Sequence, residues 1–178
     1  MMVTADSPPL DDLRFDQQFL VDDPLDLVVP ANHRLASRRR VTLADAADEP
    51  WVVGTPGGAY HQLTVTACVA AGFTPNIAHQ ADEWETGAAI VSQDMGVMLV
   101  PRLWLLSSEW AVTRIRLSGE PVPVRKIVAA TRKGAARHPL VAETLELVKA
   151  RCDTLYSNPP EGSGSAPESP NDPRRHDS

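Results

Sequence analysis

Residues 52–63 read VVGTPGGAYHQL, and this stretch sets the pattern for the chain on either side of it. The two valines predict a buried strand, the glycines and the proline predict a loop, and the following residues begin a helical pattern. A glycine loop that leads from a strand into a helix presents free backbone N–H groups, which bind anions. The stretch is therefore a candidate ligand-binding loop.

The composition of this loop argues against a nucleotide site and favours a small organic ligand. The lysine that reaches the phosphates in a nucleotide-binding loop is missing, and the spacing does not fit GxGxxG. The helix start suits a carboxylate, Thr55, Tyr60 and His61 add polar groups, and Trp84 offers a flat apolar wall. His61 also fits a polar residue on an exposed turn. No GxSxG turn, HExxH pair or nucleophile–base spacing occurs, so the sequence indicates a binding module and not an enzyme.

The composition of the chain excludes several other classes of protein. A length of 178 residues and an apolar fraction of 43% fit one ordinary globular domain. The N-terminal residues resemble no secretion signal, and no apolar run is long enough to span a bilayer. A formal net charge of −6 argues against nucleic-acid binding by the chain as a whole. We expect a cytoplasmic protein without a membrane partner.

Neither the cysteines nor the short charged runs form a recognisable catalytic or metal-binding motif. Cys68 and Cys152 each fall within an apolar helical pattern, which predicts small core residues. Their spacing fits neither a disulfide framework nor a zinc site, so no metal ligand and no cofactor is predicted. The basic run 38–40 is predicted to be a solvated turn. The acidic pairs at 22–23 and 82–83 are expected to be solvated or to stabilise helix N-termini, with Asp82 capping the helix that begins near Glu83.

Strand and helix patterns alternate outward from the loop. Strands are predicted over 26–29, 51–53, 76–80, 96–100, 112–117 and 124–131, and helices over 64–71, 83–92 and from 139 onward. The alternation predicts an α/β fold with a mainly parallel sheet. Val141, Leu145, Val148, Cys152 and Leu155 form one apolar face of the last helix. The expected domain bounds are a weakly ordered 1–12, a folded 13–156, and a disordered tail over 157–178 that is rich in proline, serine and glycine.

Several segments in the right order resemble the effector-binding domain of LysR-type transcriptional regulators. The run 24–36 is similar to the family's PL.LV.P..HPLA pattern, and 90–101 is similar to LV..G.GV.LLP. The remaining matches are VTLAD at 41–45, EPWVV at 49–53, AGFTP at 71–75, and His138-Pro139 at the start of the last helix. Arg34 stands where proline is usual, and Gln93-Asp94 replace a common alanine-glycine.

The resemblance implies an α/β fold like that of type 2 periplasmic binding proteins, which has two subdomains with an effector in the cleft between them. The second subdomain is expected complete, together with the last strand and helix of the first. Carried over by position, the loop 54–57 with Tyr60 and His61 forms one lip of the cleft. Glu83 and Trp84 lie near the second crossover between the subdomains, and Gly96 and Val97 lie near the floor of the pocket. The implied effector-binding residues are Gly54, Thr55, Pro56, Gly57, Tyr60, His61, Glu83, Trp84, Gly96 and Val97.

Family members begin with a winged helix-turn-helix, a linker helix and the first subdomain, none of which the sequence contains. We therefore expect a truncated effector sensor that reaches DNA only through that missing N-terminal domain. The helix face that begins at Val141 would lack much of the sheet it normally covers, which favours self-association or association with a full-length relative. A free-standing cytoplasmic solute-binding protein, an enzyme that uses the glycine loop, and a non-functional remnant remain open.

Overall fold

The computed structural model describes residues 2–4, 13–120 and 122–157, and the side chains of 13–120 and 122–154. Of the segment 1–12, expected to be weakly ordered, only Met2–Thr4 is described, and it forms a strand. The tail expected over 157–178 lies outside the described residues, except for Ser157 at the end of the last helix.

The chain forms seven strands and three α-helices within the described residues. The strands are β1 (Met2–Thr4), β2 (Phe15–Pro30), β3 (Pro50–Val53), β4 (Asn76–Gln80), β5 (Met98–Pro101), β6 (Val112–Ile115) and β7 (Val124–Arg132). The α-helices are α1 (Ala59–Ala70), α2 (Trp84–Ser92) and α3 (Pro139–Ser157), and short 3₁₀ helices cover Leu43–Ala46 and Ala135–Arg137. Every strand and helix expected from the sequence is present.

Two elements are longer than the sequence pattern predicted. Helix α1 begins at Ala59 and not at Thr64, because Gly58 has the extended backbone of an N-cap residue. Strand β2 has 16 residues, whereas only 26–29 were predicted. Its first half is rich in Asp and Gln, which hide the strand from a pattern search based on apolar residues.

The expectation of a mainly parallel sheet is wrong. Strand β2 pairs antiparallel with β5, β6 and β7, and β7 pairs antiparallel with β1. Strands β3 and β4 are parallel, and a parallel bridge from Trp51 to Val97 joins β3 to the start of β5. The expected parallel βαβ units therefore exist, but the long β2 adds antiparallel neighbours that a reading of local alternation does not reveal.

The long strand β2 connects two lobes of different size. The large lobe, residues 24–123, contains β3 to β6, α1, α2 and the end of β2. Its core includes Trp51, Leu27 and Leu99, all fully buried. The small lobe, residues 2–4, 13–23 and 124–157, contains β1, the start of β2, β7 and α3. The two lobes meet where Pro24 pairs with Val124.

Helix α3 covers the small lobe with the face that the sequence predicted. Leu145 is buried against Leu20 and Ile127, and Val141, Val148 and Cys152 pack around them. Leu145 is buried, whereas Val141, Val148 and Cys152 are half-buried, so the sheet covers this face only in part. Large exposed apolar side chains lie elsewhere in this lobe, at Leu13, Phe19, Leu140 and Leu147.

Candidate functional site

The loop after β3 is tied to the residue after β4. The backbone N–H of Thr55 donates to Asp82 Oδ1 over 2.7 Å, and the Thr55 hydroxyl donates to Asp82 Oδ2 over 2.6 Å. Gly54 has no room for a side chain, since a Cβ there would lie 3.0 Å from the backbone nitrogen of His61 and from Tyr60 Cδ1. The loop, the start of α1 and the end of β4 are thus drawn together at the carboxyl ends of two parallel strands.

The structure corrects the expected role of Asp82 as a helix cap. Glu83 is the N-cap residue of α2, and its side chain makes no capping hydrogen bond among the described residues. The Asp82 carboxylate accepts the two bonds from Thr55 instead, and these bonds lower the pKa of Asp82. A short-range sequence pattern suggests capping, whereas the observed partner lies 27 residues away.

The N-terminus of α1 offers free donors at this edge. Gly57 has φ +89°, a left-handed backbone that favours glycine, and Gly58 closes the turn by donating to the carbonyl of Thr55 over 3.0 Å. The first backbone hydrogen bond of the helix runs from the Gln62 N–H to the Gly58 carbonyl. The backbone N–H groups of 59–61 therefore have no acceptor in the described part of the chain. Thr55, Pro56 and Gly57 are exposed, and His61 is half-buried.

Tyr60 and Trp84 belong to an aromatic cluster and do not stand as free walls. The Tyr60 hydroxyl donates to the Leu99 carbonyl over 2.6 Å, and burial raises the pKa of this phenol. The Tyr60 and Trp84 rings meet edge to face with centroids 6.3 Å apart, and Trp104 lies 6.0 Å from Trp84. The guanidinium carbon of Arg125 lies 5.1 Å from the centroid of the Trp84 ring. The Trp84 ring, which was expected to form a flat apolar wall of the ligand site, therefore packs against the guanidinium of Arg125.

Gly96 and Val97 lie at the other end of the sheet from these residues. The Val97 N–H donates to the carbonyl of Pro50, at the start of β3, whereas Gly54 follows the end of the same strand. A Cβ at Gly96 would lie 2.7 Å from the Pro50 oxygen, so this glycine permits close packing of strands. The structure brings together the implied residues at 54–61 and 83–84, and separates Gly96 and Val97 from them.

Sequence reasoning missed a cluster of charges where the lobes meet. Asp23 and Asp26 on β2 are fully buried, although the pair 22–23 was expected to be solvated. Arg102 binds Asp26 with two nitrogens, the shorter contact being 2.7 Å, and Arg125 Nε donates to Asp23 over 2.8 Å. The sequence contains one signal of this cluster, which is the presence of Asp23 and Asp26 in an otherwise apolar run. Carboxylates that are buried in such a run need cationic partners.

Arg114 completes this cluster. It donates to the carbonyls of Arg102 and Trp104 over 3.0 and 2.6 Å, and lies 4.0 Å from Asp26. Burial lowers the pKa of Arg114, and its Nε has no acceptor among the described residues. Three arginines thus share two buried carboxylates at the junction of the lobes.

The arrangement supplies donors and positive charge, which suit binding. Within the described residues no group of three potential metal ligands occurs, and none of the helices is long and apolar enough to cross a membrane. Cys68 is fully buried, as predicted, and burial raises its pKa to about 12. The free donors lie at the carboxyl ends of strands, which is where α/β domains bind ligands.

Residues 2–153 match the family described as the LysR substrate binding domain, and the chain belongs to this family. The transcriptional regulator TtuA of Agrobacterium vitis is 30% identical over 131 residues, which cover 71% of this chain and 43% of that protein. The C-terminal domain of a probable LysR regulator from Rhodococcus sp. RHA1 is 26% identical, with a TM-score of 0.61 and coverage of 79% and 70%. The resemblance found in the sequence is thereby confirmed.

The fold of the family is also confirmed by a more distant structure. The effector-binding domain of QuiR in complex with shikimate has a TM-score of 0.64 at 21% identity and covers 83% of this chain and 70% of that chain. This chain is therefore a LysR-type effector-binding domain with the fold of type 2 periplasmic binding proteins. It spans between 27% and 50% of the length of the curated relatives that it matches.

Proposed function

We propose that this chain senses a small organic effector for a LysR-type regulator, at the edge formed by the loop 54–58 and the first turns of α1 and α2. The observation that carries the proposal is the Thr55–Asp82 tether, which holds the two helix N-termini side by side. Free N–H groups at a helix N-terminus favour an anionic ligand group. The QuiR domain, whose structure contains shikimate, is a relative in fold that binds such a small acid.

In this proposal the effector-binding residues are those that meet at this edge, Gly54, Thr55, Pro56, Gly57, Tyr60, His61, Glu83 and Trp84. Gly96 and Val97 are left out, because their backbone groups pack against Pro50 at the opposite end of β3. In this proposal the chain acts as a binding module without catalysis, and the Thr55 hydroxyl serves with Asp82 as a structural tether. A cytoplasmic location fits the regulator that we propose.

A broad panel of small metabolites tests the binding function through the melting temperature of the chain. A ligand that binds only the native state stabilises it by RT ln(1 + [L]/Kd), so the melting temperature rises with the logarithm of a concentration above Kd. The expected hits are small carboxylic acids or aromatic compounds. Thr55→Val, which loses a hydroxyl of the tether, should weaken the shift, whereas Thr66→Val on the exposed face of α1 should leave it unchanged. A panel without any shift would contradict the proposal.

DNA recognition in this proposal belongs to a helix-turn-helix domain outside this sequence. The chain has a net charge of −6, which opposes binding to phosphate backbones. A gel-shift titration of the chain with promoter fragments should show no sequence-specific complex. Specific binding at moderate salt would refute this assignment.

We further propose that the chain associates with a second copy or with a full-length relative through the small lobe. Leu140 and Leu147 lie seven residues apart on α3 and are 67% and 66% exposed. Both face away from the buried Leu145, so they form a separate apolar stripe. Sedimentation should show a dimer that Leu140→Gln, Leu147→Gln converts to a monomer. A chain that sediments as a monomer throughout would contradict this partner assignment.

A further inference from the structure

A pocket in the small lobe lies between the sheet and the turn that precedes α3. Its volume is about 220 Å³, and its lining includes Asp16, Gln18, Ala129, Thr131, Ala136 and Leu145. Asp16 and Thr131 pair directly across the ladder of β2 and β7, and Gln18 and Ala129 are the next pair on the same face. Asp23, at the junction of the lobes, lies further along β2, roughly 20 Å from Asp16 in an extended strand. The pocket is therefore separate from the proposed effector site.

The hydroxyl of Thr131 is the feature of this pocket that most clearly points to a ligand. The residue is only 4% exposed, and its hydroxyl makes no hydrogen bond among the described residues. A polar group on so buried a residue is costly to leave without a partner, and most such groups have one. Because Thr131 lines the pocket, a molecule there can both accept from this hydroxyl and donate to it.

Asp16 and Gln18 add two polar groups with unused capacity. Asp16 Oδ2 accepts the backbone N–H of Gly134 over 2.8 Å, which holds the carboxylate beside the turn. Its Oδ1 has no partner among the described residues, and neither has the side-chain amide of the half-buried Gln18. The carboxylate accepts hydrogen bonds, whereas the amide both donates and accepts them. Three groups that suit hydroxyl partners thus converge on one pocket.

The charges around the pocket favour an uncharged ligand. Asp16 is the one ionisable side chain among the described residues that line it, and this carboxylate repels organic acids. Arg132, Lys133 and Arg137 are near in sequence, but they are exposed and line no part of the pocket. Their positive charges oppose the approach of an ammonium ion, although solvent screens them.

The apolar part of the lining and the volume narrow the ligand class further. Ala129, Ala136 and Leu145 offer an apolar surface for the C–H groups of a ligand, beside the polar groups that orient it. The volume lies below the range of about 300–1,000 Å³ that is typical of pockets for drug-sized ligands. The ligand that fits is therefore a small molecule with several hydroxyl groups.

We propose that this pocket is a second ligand site, which binds a small neutral polyol such as a short sugar alcohol or a pentose. The Asp16 carboxylate accepts from one ligand hydroxyl, and Gln18 and Thr131 bond to its neighbours. The site depends on residues of the small lobe alone, so it stands independently of the proposed sensing function. It goes beyond that function because it gives the chain a second class of ligand.

A chemical-shift titration of the backbone amides with erythritol and ribose tests the site. Shifts at single amides separate binding from the general stabilisation that polyols give when they are excluded from protein surfaces. We expect saturable shifts at millimolar concentration, confined to the amides of 16–18, 129–131 and 134–136. Glycerol is compared with 3-amino-1,2-propanediol and with glycerate, which carry a cation or an anion on the same skeleton and should bind more weakly.

Thr131→Val is the variant that separates binding from folding. Valine keeps the shape of the side chain and removes a hydroxyl that has no partner in the described chain, so the urea midpoint should stay the same or rise. The affinity for ribose should fall by about three- to tenfold, in line with one lost hydrogen bond between neutral groups. Thr113→Val is the matched control, since Thr113 is a half-buried strand residue of the large lobe, and its affinity should be unchanged.

Asp16→Asn provides a second variant if Thr131→Val does not fold. Asparagine keeps an oxygen for the Gly134 N–H but loses the charged acceptor, so the affinity for ribose should fall by about tenfold or more. Thr55→Val, at the effector site, should leave ribose binding unchanged.

Three results would overturn the proposal. The first is a titration without saturable shifts, or with shifts centred outside the pocket. The second is binding of the amine or of glycerate as tight as that of glycerol, which would exclude a neutral polyol as the ligand class. The third is unchanged affinity for ribose in Thr131→Val or in Asp16→Asn. None of these results bears on the sensing function, which Thr55→Val and the metabolite panel test separately.

Discussion

The large lobe has a core of fully buried apolar side chains, whereas the small lobe buries one face of a helix on a narrow sheet. Trp51, Leu27 and Leu99 have no exposed area, while Phe19 in the small lobe is 51% exposed. The difference places the rigid, fully packed core beneath the helix starts that form the candidate site. From the small lobe, the guanidinium of Arg125 lies over the ring of Trp84, at the start of α2.

The largest effect should come from the charges that join the two lobes. Asp26→Ala leaves Arg102 and Arg114 without their buried carboxylate, so we expect a loss of about 3–5 kcal/mol in the free energy of unfolding. Asp22→Ala removes an exposed partner of Lys126 and should cost less than about 1 kcal/mol. Urea unfolding measures both. Similar losses at the two positions would show that the buried cluster does not hold the junction.

The next effect compares leucines from the two cores. Leu99→Ala should fall toward the upper end of the range of about 2–5 kcal/mol for such substitutions, because Leu99 is enclosed on all sides. Leu145→Ala should fall toward the lower end, since several residues packed against its cluster, including Val141, Val148 and Cys152, are only partly buried and can relax into the space. The measurement is again the free energy of unfolding in urea. A larger loss at Leu145 would reverse the order of the two cores.

The smallest effect concerns the two thiols, one in each lobe. Cys68 is fully buried with a pKa near 12, so essentially no thiolate exists at pH 8 in the folded chain. Cys152 lies at the edge of the small core, and burial and the neighbouring Asp153 raise its pKa. A disulfide reagent at pH 8 should modify Cys152 before Cys68, and Cys152→Ser should abolish the faster phase. Simultaneous modification of both thiols would mean that the large lobe opens as readily as the small one.

The local elements of the large lobe were predictable from sequence, because their signals are local. The bounds of β4 match those predicted at Asn76 and Gln80, and Pro101 ends β5 close to the predicted residue. The length of β2 and its antiparallel partners were not predictable, since they depend on pairings with residues up to about a hundred positions away. The apolar periodicity of α3 correctly predicted which of its faces is buried.

The candidate site was predictable only in part. The loop at Gly54 to Gly57 and the helix start after it were predictable, because glycine spacing and a helical pattern are local features of the sequence. The roles of Asp82 and Arg125 are set by partners 27 and 102 residues away. Neither spacing nor composition connects such positions. An aspartate inside an apolar strand is the sequence feature that indicates a buried ion pair with a distant arginine.

Hydrogen exchange of the chain with and without the acid that gives the largest rise in melting temperature tests the sensing site most directly. We expect slower exchange of the backbone amides of Thr55, of 57–61 and of 84–87, in the loop and at the starts of α1 and α2. The amides of Gly96 and Val97, at the other end of β3, should exchange at an unchanged rate. Protection centred on Gly96 and Val97, with none at the helix starts, would contradict the account.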